Sequence, residues 1–191
     1  MTRAALALCE AASPPWLVNH CLRAYLWARL LDKRTRSFDD EATYVALLLH
    51  DLGLTAQYRL SAASTQQCFT AAGADVAHAL ATQHGWPDRR AALAAEAIAL
   101  HLNVTIADRH GPEAWLVRAG SGADIAGLGL HRVHLQDVAA VVRRHPRLEI
   151  KREMTAVLAT ECHAHPNSRI TFLVQRLGFN ALVRNARMFS E

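Results

Sequence analysis

The sequence ALLLHDLG, at residues 46–53, ends a nearly unbroken apolar run with a histidine, an aspartate and a glycine. A helix this apolar has to be buried on most sides, and burying His50 together with Asp51 is unfavourable unless both side chains are satisfied. A helix cap or a buried hydrogen bond could satisfy them. A divalent metal ion also could, because it accepts an imidazole nitrogen and a carboxylate oxygen together. Adjacent helical residues point about 100° apart, so we expect both ligands at the helix end, where Gly53 is predicted to form the C-cap.

Helical periodicity extends from this segment in both directions. Apolar positions recur at helical spacing over residues 16–31, after two consecutive prolines. Asp39 or Asp40 suits the start of the helix that carries His50, since carboxylates favour the N-terminal end of the helix dipole. A short helix interrupted by glycines is expected at 113–124. The other predicted helices lie at 69–85, 89–103, 135–144, 147–163 and 170–177.

The ends of these segments are predicted from local signals. Ser64 is a candidate cap for the helix at 69–85, and Asp88 for the helix after it. The tail from residue 179 is expected to be loosely ordered, although Phe179 and Met188 could dock it. No stretch alternates in the manner of a strand, and no linker or repeat divides the chain. We therefore predict an all-α, single-domain helical bundle over residues 1–191, with its core at about 15–180.

The bulk composition argues against several classes of partner. The formal net charge is +4, but the arginines are scattered and no basic run is interleaved with aromatic residues, so nucleic-acid binding is not expected. No apolar stretch reaches about 18 residues, so no membrane span is expected. Four cysteines without a CxxC pair, and no recognisable signal peptide, suggest a cytoplasmic protein with reduced thiols. A homodimer is possible, although no interface signature is visible.

Two further side chains have the chemistry to complete a metal site. His20 lies on or beside the apolar face of the helix at 16–31, and Asp124 lies among glycines and small residues that would let another helix approach. Together with His50 and Asp51 they would supply two imidazoles and two carboxylates. Such a mixed set suits zinc, iron or manganese.

Four blocks of sequence, taken in order, resemble the HD superfamily of metal-dependent enzymes. More narrowly, NHCLRAYLWA, LLLHDLGLT and FTAAGAD resemble its cyanamide-hydratase-like branch, and the similarity extends over residues 15–180. The resemblance implies an all-α fold and one divalent metal, zinc first, held by His20, His50, Asp51 and Asp124. The four blocks are NHCLRAY at 19–25, ALLLHDLG at 46–53, AIALH at 97–101 and GADIAG at 122–127.

The chain departs from its relatives around Phe69. Two-metal members of the superfamily often carry a histidine four residues before a Gly-Ala pair, and here Phe69 stands at that position before Gly73. Phenylalanine cannot bind a metal, so we expect a single ion, with His78 or His101 as the residues that could still supply a second site. Close members of the branch read RFEVEGA where this chain reads CFTAAGA, which weakens the case for cyanamide itself.

The resemblance implies a hydratase or hydrolase whose metal activates a water molecule to attack a small-molecule substrate, such as one with a nitrile-like carbon. A phosphohydrolase acting on nucleotides or small phosphate esters is the alternative. A non-catalytic domain that is stabilised by its metal and binds a partner is the second alternative.

Four residues near the expected ligands are candidates for catalysis or substrate binding. His101 could transfer protons, or it could simply favour a helix C-terminus. Thr55 could bond the water or the substrate, or cap the following segment. Asn19 could hold a ligand or begin a helix, and Arg23, one turn after His20, could bind an anion or pair with a carboxylate. The tryptophans are expected to be packing residues.

Overall fold

The computed structural model describes residues 1–32, 37–59, 68–186 and 189, and in these ranges it confirms the predicted all-α, single-domain bundle. No strand occurs among the described residues. A short 3-10 turn, Leu52–Leu54, follows the third helix. The helices, numbered α1 to α10 in chain order, are Thr2–Ala12, Pro15–Leu31, Asp40–Leu49, Phe69–Gln83, Asp88–Leu100, Gly111–Ala126, Leu135–Arg144, Ile150–Ala164, Arg169–Arg176 and Phe179–Arg184.

Helix α3 lies at the centre of the bundle. Its residues from Val45 to Leu49 are all buried, as a run of apolar side chains on every face requires. Helices α1, α2, α4, α5 and α6 pack around it. The residue directly after α3 is His50, so this packing delivers the end of the helix, and the His-Asp pair with it, to the interior.

Helix α6 differs from its prediction. The glycines were expected to interrupt it, yet it runs without a break from Gly111 to Ala126. Gly120 explains why a glycine is needed there, because a Cβ at this position would lie 2.2 Å from the carbonyl oxygen of Ala24. The glycine therefore allows α6 to approach the backbone of α2, and this approach brings Asp124 to the same level as His20.

The C-terminal part of the chain also differs from its prediction. The tail expected to be loosely ordered forms α10, which packs on α8 and α9 and buries Val183. Phe179 begins α10 and packs against the same apolar cluster. The predictions for Ser64 and Met188 fall outside the described residues. None of the helices in the described ranges is both long and apolar enough to cross a bilayer.

Helix α3 begins at a capped and charged N-terminus. Asp39 accepts a hydrogen bond from the backbone N–H of Ala42 at 3.0 Å, as predicted for a helix cap. The Arg90 guanidinium of α5 donates to both carboxylate oxygens of Asp39, at 2.6 and 2.9 Å, and to Glu41 at 2.8 Å. These contacts join the start of α3 to α5, and the hydrogen bonds from Arg90 hold the pKa of Asp39 below its ordinary value.

Replacing Gly120 with alanine is expected to lower the free energy of unfolding by about 1–3 kcal/mol, because the new methyl group would overlap the backbone of α2. Gly122→Ala in the same helix is the matched control, since its Cβ would meet the side chain of Leu128 at 3.2 Å. Both substitutions gain helix propensity, by about 0.5–1 kcal/mol. Chemical unfolding of the two variants measures the difference, and equal stabilities would contradict the close approach of α2 and α6.

Asp39→Ala is expected to lower the free energy of unfolding by about 1 kcal/mol at neutral pH, because a helix cap is lost. The folded-state pKa of Asp39 is depressed, so its contribution is complete above the unfolded-state pKa of about 3.9 and is lost as the pH falls through the lower, folded-state pKa. Urea unfolding at neutral pH and at about pH 3 should therefore show a narrower gap between wild type and variant in acid. Asp39→Asn, which keeps a capping oxygen, should lie between them; a gap that widens in acid would refute this account.

Candidate metal centre

Three of the predicted ligands meet at one point in the interior. His20 Nε2 lies 3.1 Å from His50 Nε2. The same two nitrogens each lie 3.3 Å from Oδ2 of Asp51. His20, His50 and Asp51 are all buried, and one ligand atom of each lies within 4.8 Å of the others. Two imidazoles and a carboxylate at this spacing form a group that could hold a divalent metal ion.

The backbone after α3 places His50 and Asp51 side by side. His50 keeps right-handed helical dihedrals as the C-cap residue, and the chain then enters the 3-10 turn Leu52–Leu54. The prediction that Gly53 forms the C-cap is therefore wrong. Gly53 lies inside the turn, where a Cβ would come within 2.1 Å of the Phe69 carbonyl oxygen. The change from helix to 3-10 turn lets two consecutive side chains face the same point.

The hydrogen bonds of the histidine rings leave their Nε2 atoms directed at that point. His50 Nδ1 donates to the carbonyl oxygen of Leu47 at 2.8 Å, and His20 Nδ1 faces the Asp124 carboxylate at 2.8 Å. A ring that donates from Nδ1 presents a lone pair at Nε2. Two such lone pairs 3.1 Å apart repel unless a cation lies between them. The arrangement therefore fits a metal ion on its own chemistry.

The electrostatics of the site favour the protonation states that a metal requires. Burial lowers the pKa of His50 to about 3, which keeps its imidazole neutral. Burial alone would raise the pKa of Asp51, but the neighbouring His50 and His20 outweigh it and hold the pKa below its ordinary value. Neutral imidazole and ionised carboxylate are the forms that bind metals.

Asp124 lies behind His20 and accepts hydrogen bonds at both carboxylate oxygens. Oδ1 accepts from Arg23 Nε and from Trp27 Nε1, each at 2.7 Å. Oδ2 accepts from Arg23 Nη2 at 2.8 Å and contacts His20 Nδ1 at 2.8 Å. Arg147 donates to the Asp124 carbonyl oxygen at 2.9 Å. In this geometry Asp124 orients the ring of His20, and its role as a direct ligand stays a prediction.

Arg23 and Asn19 both reach toward the turn that precedes α8. Arg23 is fully buried, and besides its ion pair with Asp124 it donates from Nη1 to the carbonyl oxygens of His145 and Pro146, each at 2.9 Å. Asn19 donates to the same Pro146 oxygen at 2.8 Å. Arg23 thus forms the ion pair with a carboxylate that the sequence left open. The substrate-binding role of both residues stays a prediction.

His101 and Thr55 lie at different distances from the three ligands. His101 ends α5, and its Nδ1 donates to the Ile98 carbonyl oxygen at 2.7 Å. Its Nε2 lies 3.6 Å from Asp51 Oδ1, and its ring centroid is 4.9 Å from that of His50. Thr55 donates to the Leu52 carbonyl oxygen at 2.7 Å and so caps the 3-10 turn. Their catalytic roles stay predictions, but only His101 of the two borders the cavity that opens onto the three ligands.

Two other residues bear on a second metal. The ring of Phe69 lies 5.8 Å from that of His101, centroid to centroid. His78 instead faces Asp88, with its Nε2 3.1 Å from the carboxylate. Among the described residues, His20, His50 and Asp51 form the one group of three or more ligating side chains at this spacing.

The cavity beside His101 has a volume of about 230 Å³ and extends to the three ligands. Its polar side chains lie mainly at this inner end, and the rest of its wall is mostly aliphatic. Helices α4, α6, α8, α9 and α10 all contribute to the wall. The apolar lining residues are Leu54, Phe69, Leu102, Val104, Ile125, Leu128, Met154, Leu158, Ile170, Leu173, Leu177, Phe179 and Leu182.

Comparison with protein families agrees with this geometry. The model of the HD domain matches residues 17–126, more than half of the chain. The chain belongs to the HD domain family. The HD match spans His20, the His50-Asp51 pair, His101 and Asp124, and HD superfamily members are generally metal-dependent hydrolases. No curated protein matches this HD domain sequence.

Sequence reasoning missed the part that Trp27 plays in this HD domain. It was expected to be a packing residue, yet its indole N–H donates to Asp124. The spacing could have revealed it, because Arg23 and Trp27 follow His20 by three and seven residues and so share one helix face. Arg147, in the turn before α8, had no such signal.

Trp27→Phe is expected to weaken metal binding by about 10- to 100-fold, because Asp124 loses a donor and His20 is held less firmly. Zinc competition against a chromophoric chelator measures the affinity. Trp86→Phe is the matched control, since Trp86 is also buried and instead stacks on Arg90, 3.8 Å from the ring centroid. Equal zinc affinities for the two variants would show that Trp27 acts through packing alone.

Proposed function

We propose that this HD domain is a metal-dependent hydratase or hydrolase that acts on a small, uncharged molecule. The convergence of His20 Nε2, His50 Nε2 and Asp51 Oδ2 at the inner end of a cavity supports it most directly. These three residues would hold one divalent ion, zinc by preference, with iron and manganese suited to the same donors. An ion bound there would lower the pKa of a water molecule toward neutrality.

His101 is proposed to move the proton in this reaction. Its Nδ1 is committed to the Ile98 carbonyl oxygen, which fixes the ring and leaves Nε2 as the proton-accepting atom on the cavity side. Asp51, 3.6 Å away, would stabilise the ring when it carries the proton. For a nitrile-like substrate, water would add across the carbon–nitrogen triple bond, and the nitrogen would receive the proton that His101 accepted.

The charges around the cavity support an uncharged substrate. Arg118 is the cationic side chain that lines it within the described residues. Its guanidinium donates to the carbonyl oxygens of Asn103 and Val104, at 2.8 and 2.5 Å. A phosphate group would therefore find few donors beyond the metal. This favours the cyanamide-hydratase-like reaction over phosphate ester hydrolysis, which family membership supports as the second candidate.

The single-metal proposal is supported by Phe69. Its ring borders the cavity beside His101, at the position where two-metal relatives often have a histidine. Phenylalanine has no ligand atom to offer a second ion, so two-metal oxidative chemistry is not proposed.

The metal-loaded protein is expected to convert cyanamide or a small nitrile to the corresponding urea or amide. His50→Ala should abolish this product, because a metal ligand is removed. His101→Gln should keep the metal and lower kcat by about 10²- to 10⁴-fold, since only proton transfer is impaired. Elemental analysis of each variant and product detection by mass spectrometry measure both effects.

A panel of nucleoside monophosphates, assayed with zinc, manganese and cobalt, separates the two candidate reactions. Phosphate release that is absent in His50→Ala would replace the hydratase proposal with the phosphohydrolase. A protein that binds its metal tightly while every substrate remains unchanged would refute both and leave a non-catalytic binding domain.

A further inference from the structure

The mouth of the cavity is lined by exposed aliphatic side chains. Val104, Leu128, Leu177 and Leu182 border the cavity, and their exposed fractions are 60%, 45%, 56% and 43%. Large apolar side chains grouped in this way at a surface opening mark a place where an apolar group binds. Because the same cavity continues inward to His50 and Asp51, a molecule bound at the mouth would extend toward the metal ligands.

Much of this apolar wall comes from outside the segment that matches the HD family. The match ends at residue 126, whereas α8, α9 and α10 supply the wall opposite the metal ligands. The family segment therefore contributes the metal ligands, and the remainder of the chain shapes the space for the substrate. The lining residues beyond the match are Leu128, Met154, Leu158, Ile170, Leu173, Leu177, Phe179 and Leu182.

The remaining polar side chains in the wall bond to the protein itself. Arg118 donates to the carbonyl oxygens of Asn103 and Val104, and Ser121 donates to the Arg118 carbonyl oxygen at 3.2 Å. The Asn103 side-chain oxygen accepts from Arg169. These groups are already engaged, so the wall offers a ligand mainly apolar contact.

We propose that helices α8, α9 and α10, with Val104 and Leu128, bind the apolar body of the substrate. The substrate class is a neutral molecule with an alkyl or aryl chain attached to the group that reacts at the metal. This inference rests on the proposed function, which it deepens by naming the substrate. A second copy of the chain could cover the exposed leucines, but it would not fill a cavity that runs inward to His101.

Unbranched nitriles from acetonitrile to octanenitrile, and the matching primary amides, test the proposal with the metal-loaded protein. Calorimetric titration should show affinity rising about three- to fourfold per methylene until the chain fills the cavity. Binding is measured without turnover, so this result does not depend on the reaction. For compounds that react, kcat/KM should rise with chain length in the same way.

Leu177→Asp and, separately, Leu182→Asp should reduce this dependence on chain length, because a carboxylate at the mouth opposes the apolar chain. Both residues are largely exposed, so the variants should fold, and their unfolding midpoints verify this. Leu135→Asp is the matched control: Leu135 is 76% exposed on α7, away from the cavity. It should keep the wild-type dependence on chain length.

The outcomes separate this inference from the proposed function. Affinity that rises with chain length while no compound reacts would support the apolar pocket and refute the reaction. Affinity that does not change with length, or nucleoside monophosphates that bind more tightly than octanenitrile, would overturn the pocket even if a nitrile is hydrated. Leu177→Asp that converts a dimer to a monomer in light scattering, with unchanged chain-length dependence, would also overturn it and assign the mouth to a homodimer contact.

Discussion

The hydrogen bonds at the Asp124 carboxylate are the interaction on which the rest of the site depends. A fully buried carboxylate is unfavourable unless it is paired and hydrogen-bonded, and here the Arg23 guanidinium donates to both of its oxygens. Removing one partner of such a pair typically costs about 3–5 kcal/mol. Because Asp124 is on α6 while Arg23 and His20 are on α2, the same contacts join the two helices and orient a metal ligand. Folding and assembly of the site are therefore coupled.

The sequence allowed the helical class and the His50-Asp51 corner to be predicted, because both follow from local pattern and from the penalty for burying polar groups. It did not reveal why the glycines are present. Gly53 and Gly120 were interpreted as a helix cap and a helix interruption, whereas each accommodates a carbonyl oxygen from another part of the chain. Such an approach depends on tertiary packing, which no local pattern records. The place of Asp124 behind His20 depends on it as well.

The C-terminal helices show a different limit of prediction. Helix α10 is short, and a helix of this length is marginal in isolation. It is stabilised by burying Val183 against the cluster that includes Met154 and Leu158 of α8. The sequence shows the apolar residues of the tail but not the surface that receives them, so loose order was the natural expectation. The same lack of a visible partner kept the cavity wall out of the prediction.

The division of the cavity between two parts of the chain affects how such a protein can change. The ion and the groups that handle protons belong to the matched HD segment, and most of the aliphatic wall belongs to the helices C-terminal to it. Mutations in the later helices can reshape the space offered to a substrate while leaving the chemistry at its inner end intact. Selectivity can thus drift, or be engineered, by exchanging leucines for larger or smaller side chains far from any ligand of the cation.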